Sequence, residues 1–301
     1  MKLLQWTLFI DMLGYRDLNG TINTETKAIE LIEFMEMNKY IFDSQNTGGL
    51  VDNYNNSDAF NLYEYYDIKY SFISDSFILT FYPLEVERLT NLEKMYMHSA
   101  NALFIIAMRL QTFIFNCFSE KGVFLRGGVS NRYCYIKDSF AVGEGLIEAY
   151  KIESTLAIYP RIAFSSEIIE NKALIKHVNY LSTVMYNGNK LITRDRGDDI
   201  YYLDYLGLHL ATIDTTDSQV QSRILNNRKW FDAHLKLIES FVEKHALNIQ
   251  GKLNELYLKS ASISGNEKKG IDRVIDKFEW LKNYHNSRIR NNSLVSHLKV
   301  N

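Results

Sequence analysis

The sequence predicts an α+β fold in which helices cover one sheet and a helical region follows. Three observations support this prediction. Short apolar runs of strand length alternate with longer segments of helical spacing up to about residue 215. The run YSFISDSFILTF, residues 70–81, has a polar turn signal between two strand-like halves. Beyond about Thr216 the patterns are those of amphipathic helices.

The first part of the chain contributes a strand, a helix and a hairpin. The apolar run LQWTLFI predicts a buried strand that ends at Asp11, and the following loop leads towards a helix over about Glu25–Asp43. Residues 45–61 are polar and rich in Asn and Gly, which predicts a loop. Two short strands over residues 67–81 then meet at a turn formed by residues 74–76.

The next part contributes a long helix, a strand, a shorter helix and further strands. A helical pattern runs over about residues 84–120 and ends before Gly122, and VFLRGGVSNRYCYI follows as a strand. A helix over residues 143–154 and the strand AIYPRIAFS come next, and residues 192–210 hold weaker strands. With antiparallel hairpins and right-handed crossovers, this order predicts a ferredoxin-like core with an antiparallel-rich sheet.

A change of composition near residue 216 predicts two parts of the chain. We expect residues 1–215 to form the catalytic or binding domain and residues 216–301 to form a helical C-terminal appendage. Two amphipathic helices, joined by the polar segment SASISGNEKKG, account for most of the second part.

The composition is that of a globular protein. Of the 301 residues, 46% are apolar, and the net charge of −2 gives no general attraction for nucleic acid or an anionic membrane. The two cysteines form no CxxC motif, which fits a reducing, cytoplasmic location. The N-terminal apolar run is short and lacks a cleavage site, and the longest apolar stretch, ALFIIAM, is too short to span a membrane. We therefore expect a cytoplasmic protein that binds neither nucleic acid nor membrane.

Two aspartates are the strongest candidates for a functional site. Asp11 ends the first predicted strand, and Asp75 lies in the hairpin turn between apolar strands. If these strands are neighbours, the two carboxylates converge at one edge, and a cation between them relieves their repulsion. Mg²⁺ suits such a site because it is held by one or two carboxylates together with substrate phosphates. An ordinary turn residue and a strand-end cap are the alternative interpretations.

The loop after Asp11 adds to this interpretation. Gly14 permits a tight turn, and backbone N–H groups of the segment Met12-Leu13-Gly14-Tyr15-Arg16 can cradle a polyphosphate. A phosphatase of the Asp-x-Asp type is excluded, because residue 13 is leucine. The seven histidines are scattered without the spacing of a zinc site.

Four segments occur in a characteristic order: FIDMLGYRDL, YSFISDSFILTF, FLRGGVS and VGEGLIEAYKIES. In this order and spacing they resemble the class III nucleotidyl cyclases, and most closely the bacterial pyrimidine cyclases of the Pycsar antiphage system. The resemblance covers roughly residues 5–165, and the C-terminal FEWLKNYHN resembles the helical tail of that group. It implies a class III nucleotidyl cyclase domain built on the ferredoxin-like core.

The resemblance implies metal-dependent cyclisation of a nucleoside triphosphate. Asp11, Asp75 and the carbonyl of Met12 would bind two Mg²⁺ or Mn²⁺ ions, and the Gly14 loop would hold the triphosphate. The ribose 3′-hydroxyl would attack the α-phosphate in line and release pyrophosphate. The expected reaction therefore converts CTP or UTP to cCMP or cUMP, a second messenger in antiphage defence that a separate cyclic-nucleotide-binding effector would sense.

The chain departs from the purine cyclases at the residues that contact the transition state. The Asn and Arg of those enzymes correspond to Ile147 and Lys151. Lys151 keeps a positive charge but lacks the bidentate guanidinium, and Ile147 supplies no hydrogen bond. Either another residue compensates, with Arg126 as the candidate, or activity is weakened. Lys151 and Arg126 are the predicted catalytic residues.

The chain also departs from the purine cyclases at the residues that read the base. The purine-reading lysine aligns with about Ser71, and its acidic partner aligns with Phe140. Both departures argue against adenine or guanine recognition by the usual contacts. They favour a pyrimidine, with Tyr70 or a neighbouring aromatic residue narrowing the base pocket.

The resemblance further implies a homodimer with composite active sites. Asp11, Asp75 and Gly14 would come from one chain, and Phe140 and Lys151 from its partner. Two other functions stay open. A purine cyclase or an oligonucleotide-forming relative is the second hypothesis. A non-catalytic nucleotide-binding protein with a degenerate cyclase fold is the third, which the isoleucine at position 147 favours and the two aspartates oppose.

Overall fold

The computed structural model describes residues 1–43, 60–86, 89, 91–186 and 188–301, so most of the loop predicted over residues 45–61 lies outside the described residues. Its elements, in chain order, are β1 (Trp6–Leu13), α1 (Tyr15–Gly20), α2 (Glu25–Asp43), α3 (Leu62–Tyr65), β2 (Tyr66–Ile73), β3 (Ser76–Pro83), α4 (Leu92–Lys121), β4 (Phe124–Ser130), β5 (Tyr135–Lys137), β6 (Phe140–Val142), α5 (Glu144–Thr155), β7 (Ile162–Phe164), α6 (Ser166–Glu170), α7 (Lys172–Tyr186), β8 (Ile192–Arg194), β9 (Tyr201–Leu203), α8 (Tyr205–Ala211), α9 (Ser218–Asn226), α10 (Arg228–Ala261) and α11 (Gly265–Ile289).

Seven strands form one sheet in the order β2-β3-β1-β4-β7-β9-β8. Neighbouring strands are antiparallel except β4 and β7, which are parallel. The first four strands, with α2 and α4 as crossovers, have the β-α-β-β-α-β arrangement of a ferredoxin-like core. The protein therefore has a mixed α/β fold with a large, mostly antiparallel sheet flanked by helices, and this fold is compatible with a cyclase-like fold.

The two faces of β1 have different environments, because successive side chains of a strand point to opposite faces. Trp6 and Ile10 are fully buried in the main core, to which α4 also contributes. Phe9 points to the other face, where its ring meets Tyr150 of α5 edge-on with the centroids 5.3 Å apart. The alternation therefore places Asp11 on the α5 face of the sheet.

Helix α5 packs against the sheet at residue 128, where only glycine fits. A Cβ atom built on Gly128 would overlap the carbonyl oxygen of Ala149 and would lie 2.8 Å from the Cβ of Ile152. Glycine within a strand commonly marks such a close approach. The close contact brings the buried face of α5 directly over β4 and β1.

Helices α10 and α11 share the main hydrophobic core with the sheet. Phe241 of α10 stacks on Phe115 of α4 with the ring centroids 5.1 Å apart. Phe278 of α11 meets Phe124 of β4 edge-on at 5.6 Å. The predicted amphipathic helices are therefore present, but their description as an appendage is not confirmed. The division of the chain at residues 215 and 216 stays a prediction.

Several elements differ from the predicted bounds: the long helix begins at Leu92 and not near residue 84, and the strand predicted over AIYPRIAFS is limited to Ile162–Phe164. Strand β1 continues two residues beyond Asp11, and VFLRGGVSNRYCYI contains two strands, β4 and β5, that belong to different sheets. Residues 205–211 were expected to continue the weak strands, but they form helix α8. The carboxylate of Asp204 starts this helix by accepting a hydrogen bond of 3.1 Å from the backbone N–H of Gly207.

Helix α4 is the one helix of the described residues that is long and apolar enough to cross a membrane. Most of its apolar window is buried inside the protein, as in the core helix of a soluble protein. Its Arg109 is also buried and donates from Nη1 to the carbonyl oxygen of Phe42 at 2.7 Å. These contacts fit a soluble protein, and the cytoplasmic location stays a prediction.

A chain of hydrogen bonds joins α8, α10, α11 and the C-terminal segment inside the core. Tyr205 Oη lies 2.7 Å from His245 Nε2, His245 Nδ1 lies 2.9 Å from His285 Nδ1, and His285 Nε2 lies 2.8 Å from the carbonyl oxygen of Leu298. Since a carbonyl only accepts, His285 donates from Nε2. With both rings neutral, His285 Nδ1 then accepts from His245, and His245 Nε2 accepts from Tyr205. Burial lowers the pKa of both imidazoles, so the neutral forms are favoured.

We expect the free energy of unfolding to fall as the pH is lowered from about 7 to 5. His245 and His285 protonate near pH 6.5 in the unfolded chain but resist protonation when folded, so acid favours the unfolded state. Burial also lowers the pKa of His209, to about 4, which acts in the same direction. Each such group changes the stability by up to about 1.4 kcal/mol per pH unit. Urea denaturation at several pH values measures this dependence.

A pair of variants serves as the control for this experiment. His209→Gln removes one buried imidazole and should reduce the acid sensitivity, whereas His297→Gln changes an exposed ring and should leave it unaltered. Equal stability at pH 7.5 and pH 5.5 would contradict the prediction.

Candidate functional site

The structure brings Asp11 and Asp75 to the same edge of the sheet. In the antiparallel pair of β1 and β3, Asp11 is opposite Ser76, the residue after Asp75. The backbone N–H of Met12 donates to the carbonyl oxygen of Asp75 at 3.2 Å. Strands β2 and β3 are joined by a two-residue turn in which Ser74 has a φ of 59°. The strand adjacency that a two-carboxylate site requires is therefore present.

Arg126 joins Asp11 to a buried glutamate. Asp11 and Arg126 are opposite each other on β1 and β4, and Arg126 Nε donates to Asp11 Oδ2 at 2.8 Å. Arg126 Nη2 lies 2.7 Å from Oε1 of Glu153, whose side chain is only 3% exposed and projects from α5. The predicted catalytic arginine therefore lies beside the predicted metal ligand, between two carboxylates.

Glu153 is a site residue that the sequence analysis missed. Burial raises the pKa of its carboxyl group, the Arg126 guanidinium opposes this rise, and the charges of Asp11 and Asp75 add to it. The three carboxylates therefore influence one another. Glu153 follows Gly145 and Ala149 at helical spacing on the buried face of α5, so this periodicity is the signal that would have placed a carboxylate against the sheet.

The oxygen atoms at this edge are suitable ligands for a divalent ion. Asp11 and Asp75 offer carboxylate oxygens, whereas Oε1 of the buried Glu153 is paired with Arg126 Nη2 at 2.7 Å. In the same residues no group of three His, Cys, Asp or Glu side chains forms a metal cluster by itself. Mg²⁺ commonly needs only one or two carboxylates, because water and substrate phosphates complete its ligands. These residues fit the predicted site. The assignment of Asp11, Asp75 and the Met12 carbonyl as metal ligands stays a prediction.

Gly14 turns the chain from β1 into helix α1. Its φ of 93° lies in the left-handed region, which glycine adopts without strain. Tyr15 begins α1, and Leu13, Gly14 and Arg16 line a cavity next to this turn. The predicted phosphate loop is therefore adjacent to Asp11, and its binding of a polyphosphate stays a prediction.

Two of the predicted base-reading residues lie together, and the third is on the other face of the sheet. Ser71 Oγ donates to the carbonyl oxygen of Ser139 at 3.1 Å, directly before Phe140 on the β5–β6 hairpin. Phe140 is 73% exposed. Tyr70 points to the opposite face of β2, where Lys39 Nζ lies 4.7 Å from the centroid of its ring. Within one chain, Tyr70 therefore does not share a pocket with Ser71 and Phe140.

Lys151 lies on the outer face of α5, away from the buried Glu153. It is exposed, and Ile147, one turn earlier on the same face, is 68% exposed. The Lys151 ammonium forms no ion pair with any residue that the structure describes. Within one chain, Lys151 and Ile147 therefore lie on a face of α5 that points away from the Asp11 edge.

Comparisons with known proteins give similarities to solved structures only. No family model matches the chain, and no curated protein matches its sequence. Among solved structures, the crystal structure of the guanylyl cyclase Cya2 is similar, with a TM-score of 0.29 and 16% sequence identity. The similarity covers 66% of this chain and 91% of that chain. At this TM-score it carries no weight in the proposals that follow, which depend on the residues of the site.

Proposed function

We propose that the chain is a nucleotidyl cyclase that converts CTP or UTP to the 3′,5′-cyclic nucleotide and pyrophosphate. The observation that carries this proposal is the convergence of Asp11 and Asp75 at the end of β1, next to the Gly14 turn and Arg126. We propose further that the product is a second messenger in antiphage defence and that a separate effector binds it.

In this proposal each residue at the edge has a defined task. Asp11, Asp75 and the carbonyl of Met12 would hold Mg²⁺ or Mn²⁺, and the metal would supply activation of the 3′-hydroxyl and charge compensation for the leaving pyrophosphate. Arg126 orients Asp11 through the 2.8 Å hydrogen bond to Oδ2. Glu153 holds the other end of the guanidinium in place. Backbone N–H groups of the Gly14 turn face the triphosphate.

The residues at the base-reading positions support a pyrimidine substrate. The hydroxyl of Ser71 is engaged with the carbonyl of Ser139, and Phe140 offers an apolar ring. Neither side chain provides the charged lysine and carboxylate contacts with which the purine cyclases read their base. An aromatic ring in their place supplies stacking area, which suits a smaller base held in a narrower pocket.

Incubation with an equimolar mixture of the four nucleoside triphosphates and Mn²⁺ or Mg²⁺ tests the proposed function. We expect cCMP or cUMP to be the dominant product, identified by mass, because the polar purine contacts are lacking. Preferential formation of cAMP or cGMP would refute the pyrimidine assignment. Linear or oligomeric products would favour the oligonucleotide-forming alternative, and nucleotide binding without product would favour a non-catalytic protein.

The proposal includes a homodimer, for which the outer face of α5 offers a surface. Ile147 and Tyr150 of α5 and Phe140 and Val142 of the nearby strand β6 are each more than half exposed. Exposed large apolar side chains of this kind suit an interaction site. A second copy bound here would bring Phe140 and Lys151 of one chain towards the Asp11 edge of the other, as a composite site requires.

Mixing two inactive variants tests the composite site. Asp75→Asn removes a metal ligand from one half-site, and Lys151→Ala removes the cation from the other. In a heterodimer, one site then carries both changes and the other carries neither, so activity should recover to about half of the wild-type value per heterodimer. Measured heterodimer formation without recovered activity would contradict a shared site.

A further inference from the structure

A cavity of about 630 Å³ lies between the Gly14 turn and the C-terminal helices. Its walls are the β1–α1 turn, the end of α4, and one face each of α10 and α11. The lining includes five cationic side chains, from Arg16, Lys121, Lys252, Lys259 and Lys277. The cavity is within the volume range of small-molecule sites, and its cations favour an anionic ligand.

The two carboxylates of the lining leave most of this positive charge unbalanced. Lys252 forms ion pairs with both carboxylates, because its Nζ lies 3.4 Å from Asp17 Oδ2 and 3.0 Å from Glu255 Oε2. Arg16 and Lys259 form no ion pair with the parts of the chain that the structure describes. The cavity therefore has cationic groups in excess of the anions that the protein itself supplies.

Lys277 connects this cavity to the carboxylates of the candidate site. Its side chain is half-buried on α11 and forms no hydrogen bond or ion pair within the described ranges. Burial and the neighbouring Arg126 guanidinium lower the pKa of its ammonium, whereas Asp11 and Glu153 act in the opposite direction. A partly desolvated ammonium without a partner is costly, and a bound anion would offset that cost.

We infer that the cavity binds the β- and γ-phosphates of the nucleotide, with Lys277 and Lys259 of the C-terminal helices as phosphate ligands. This inference rests on the proposed function and assigns part of its substrate site to α10 and α11. The α-phosphate would lie at the Asp11 edge, and the remaining phosphates would extend past Gly14 into the cavity. Lysine ammonium groups bind phosphate oxygens as point charges, so the two residues require no fixed fork geometry.

Calorimetric titration of the full chain with inorganic pyrophosphate tests this inference. The titration is done in EDTA, so that no metal ion takes part. We expect the wild type to bind pyrophosphate, and Lys277→Met to weaken binding at least about 10-fold, which corresponds to about 1.4 kcal/mol. Lys259→Met should weaken binding by about 3- to 10-fold, because Lys259 is exposed and its field is more strongly screened. Lys277→Arg should retain most of the affinity, since it keeps the charge.

Lys282→Met is the matched control, because Lys282 lies on the same helix, pairs with Glu279 at 3.6 Å and does not line the cavity. It should bind pyrophosphate within about twofold of the wild type, and thermal unfolding checks that each variant is folded. Equal affinities of the wild type and Lys277→Met, or no pyrophosphate binding by the wild type, would overturn the inference.

Kinetics separate a failure of this inference from a failure of the proposed function. If the chain forms a cyclic nucleotide and Lys277→Met leaves the KM for the triphosphate unchanged, the function stands and the phosphate role of Lys277 is wrong. If pyrophosphate binding depends on Lys277 but no triphosphate is cyclised, the cavity is a phosphate site and the proposed function is wrong. If Lys277→Met raises the KM for the triphosphate by about the same factor by which it weakens pyrophosphate binding, the phosphate role of Lys277 and the proposed function are both supported.

Discussion

Asp11→Asn and Asp75→Asn should each lower the rate of nucleotide cyclisation by at least about 100-fold, since each removes a charged group aimed at the reacting phosphates. The substitution keeps the size of the side chain, so the packing of the sheet is unaltered. Asn Oδ1 at position 11 can still accept the hydrogen bond that Arg126 Nε donates at 2.8 Å. We therefore expect both variants to remain folded while product formation, measured by mass, is lost.

The same substitution on the neighbouring strand provides the control. Asp67 lies on β2 and pairs with Lys69 at 3.1 Å, with 46% of its side chain exposed. Asp67→Asn should keep nearly full activity and stability, because an exposed ion pair contributes little. If Asp11→Asn or Asp75→Asn keeps activity comparable to Asp67→Asn, the two carboxylates are not the metal ligands.

Arg161→Met should have the largest effect on stability. The side chain of Arg161 is only 1% exposed, and its Nη1 donates to Asp195 Oδ2 at 2.9 Å. It also pairs with Asp198 through Nη2. The aromatic rings of Tyr159, Tyr202 and Trp280 surround the guanidinium, with centroids 5.2 to 5.8 Å from Cζ. The residue therefore fixes the segment between β8 and β9 to β7 and α11.

Removing this guanidinium leaves two carboxylates without their cation. The expected loss is about 3 kcal/mol, at the low end for a broken buried ion pair, because both aspartates keep some access to water. At roughly 2–4 °C per kcal/mol, the Tm should fall by about 6–12 °C. Thermal unfolding followed by circular dichroism measures this change.

Arg194→Met is the matched control in the same region. Arg194 pairs with Asp199 at 2.9 Å, but 54% of its side chain is exposed, so the loss should stay below about 1 kcal/mol. Equal Tm values for the two variants would show that the burial of Arg161 does not determine its contribution.

Local sequence patterns were sufficient to predict that Asp11 lies near the end of a strand and that Asp75 lies in a hairpin turn. The apolar run before Asp11 and the turn signal around Asp75 each depend on residues within a few positions, and hairpin strands must pair with each other. The convergence of the two aspartates was conditional on β1 and β3 being neighbours, and the structure shows this pairing. The helix over Glu25–Asp43 was also predicted correctly, because its apolar spacing is local.

Local patterns could place Glu153 on the buried face of its helix but could not show that it lies beside Asp11, and they could not place Lys277 at the site. Glu153 reaches the site only because α5 packs closely on Gly128, which is a property of the assembled layers. Lys277 lies on a helix whose amphipathic pattern shows that one face is buried but not against which partner. The same limit explains why α10 and α11 were expected to be an appendage, although they complete the core.

The position of α10 and α11 has a consequence for the order in which the chain folds. Lys252 and Asp17, which meet beside the cavity, are 235 positions apart in the sequence, so this wall closes only after most of the chain has been organised. Until α11 docks, Asp11 and Glu153 lack the field of Lys277. The two carboxylates attract the arriving ammonium, but its burial and the Arg126 guanidinium oppose the charge, so the docking of the last helix depends on the apolar packing of α11 and not on the charges of the site. The basic cavity needs residues of α10 and α11, whereas Asp11, Asp75 and Glu153 all precede these helices in the sequence, so both parts of the site are present only when the two helices are in place.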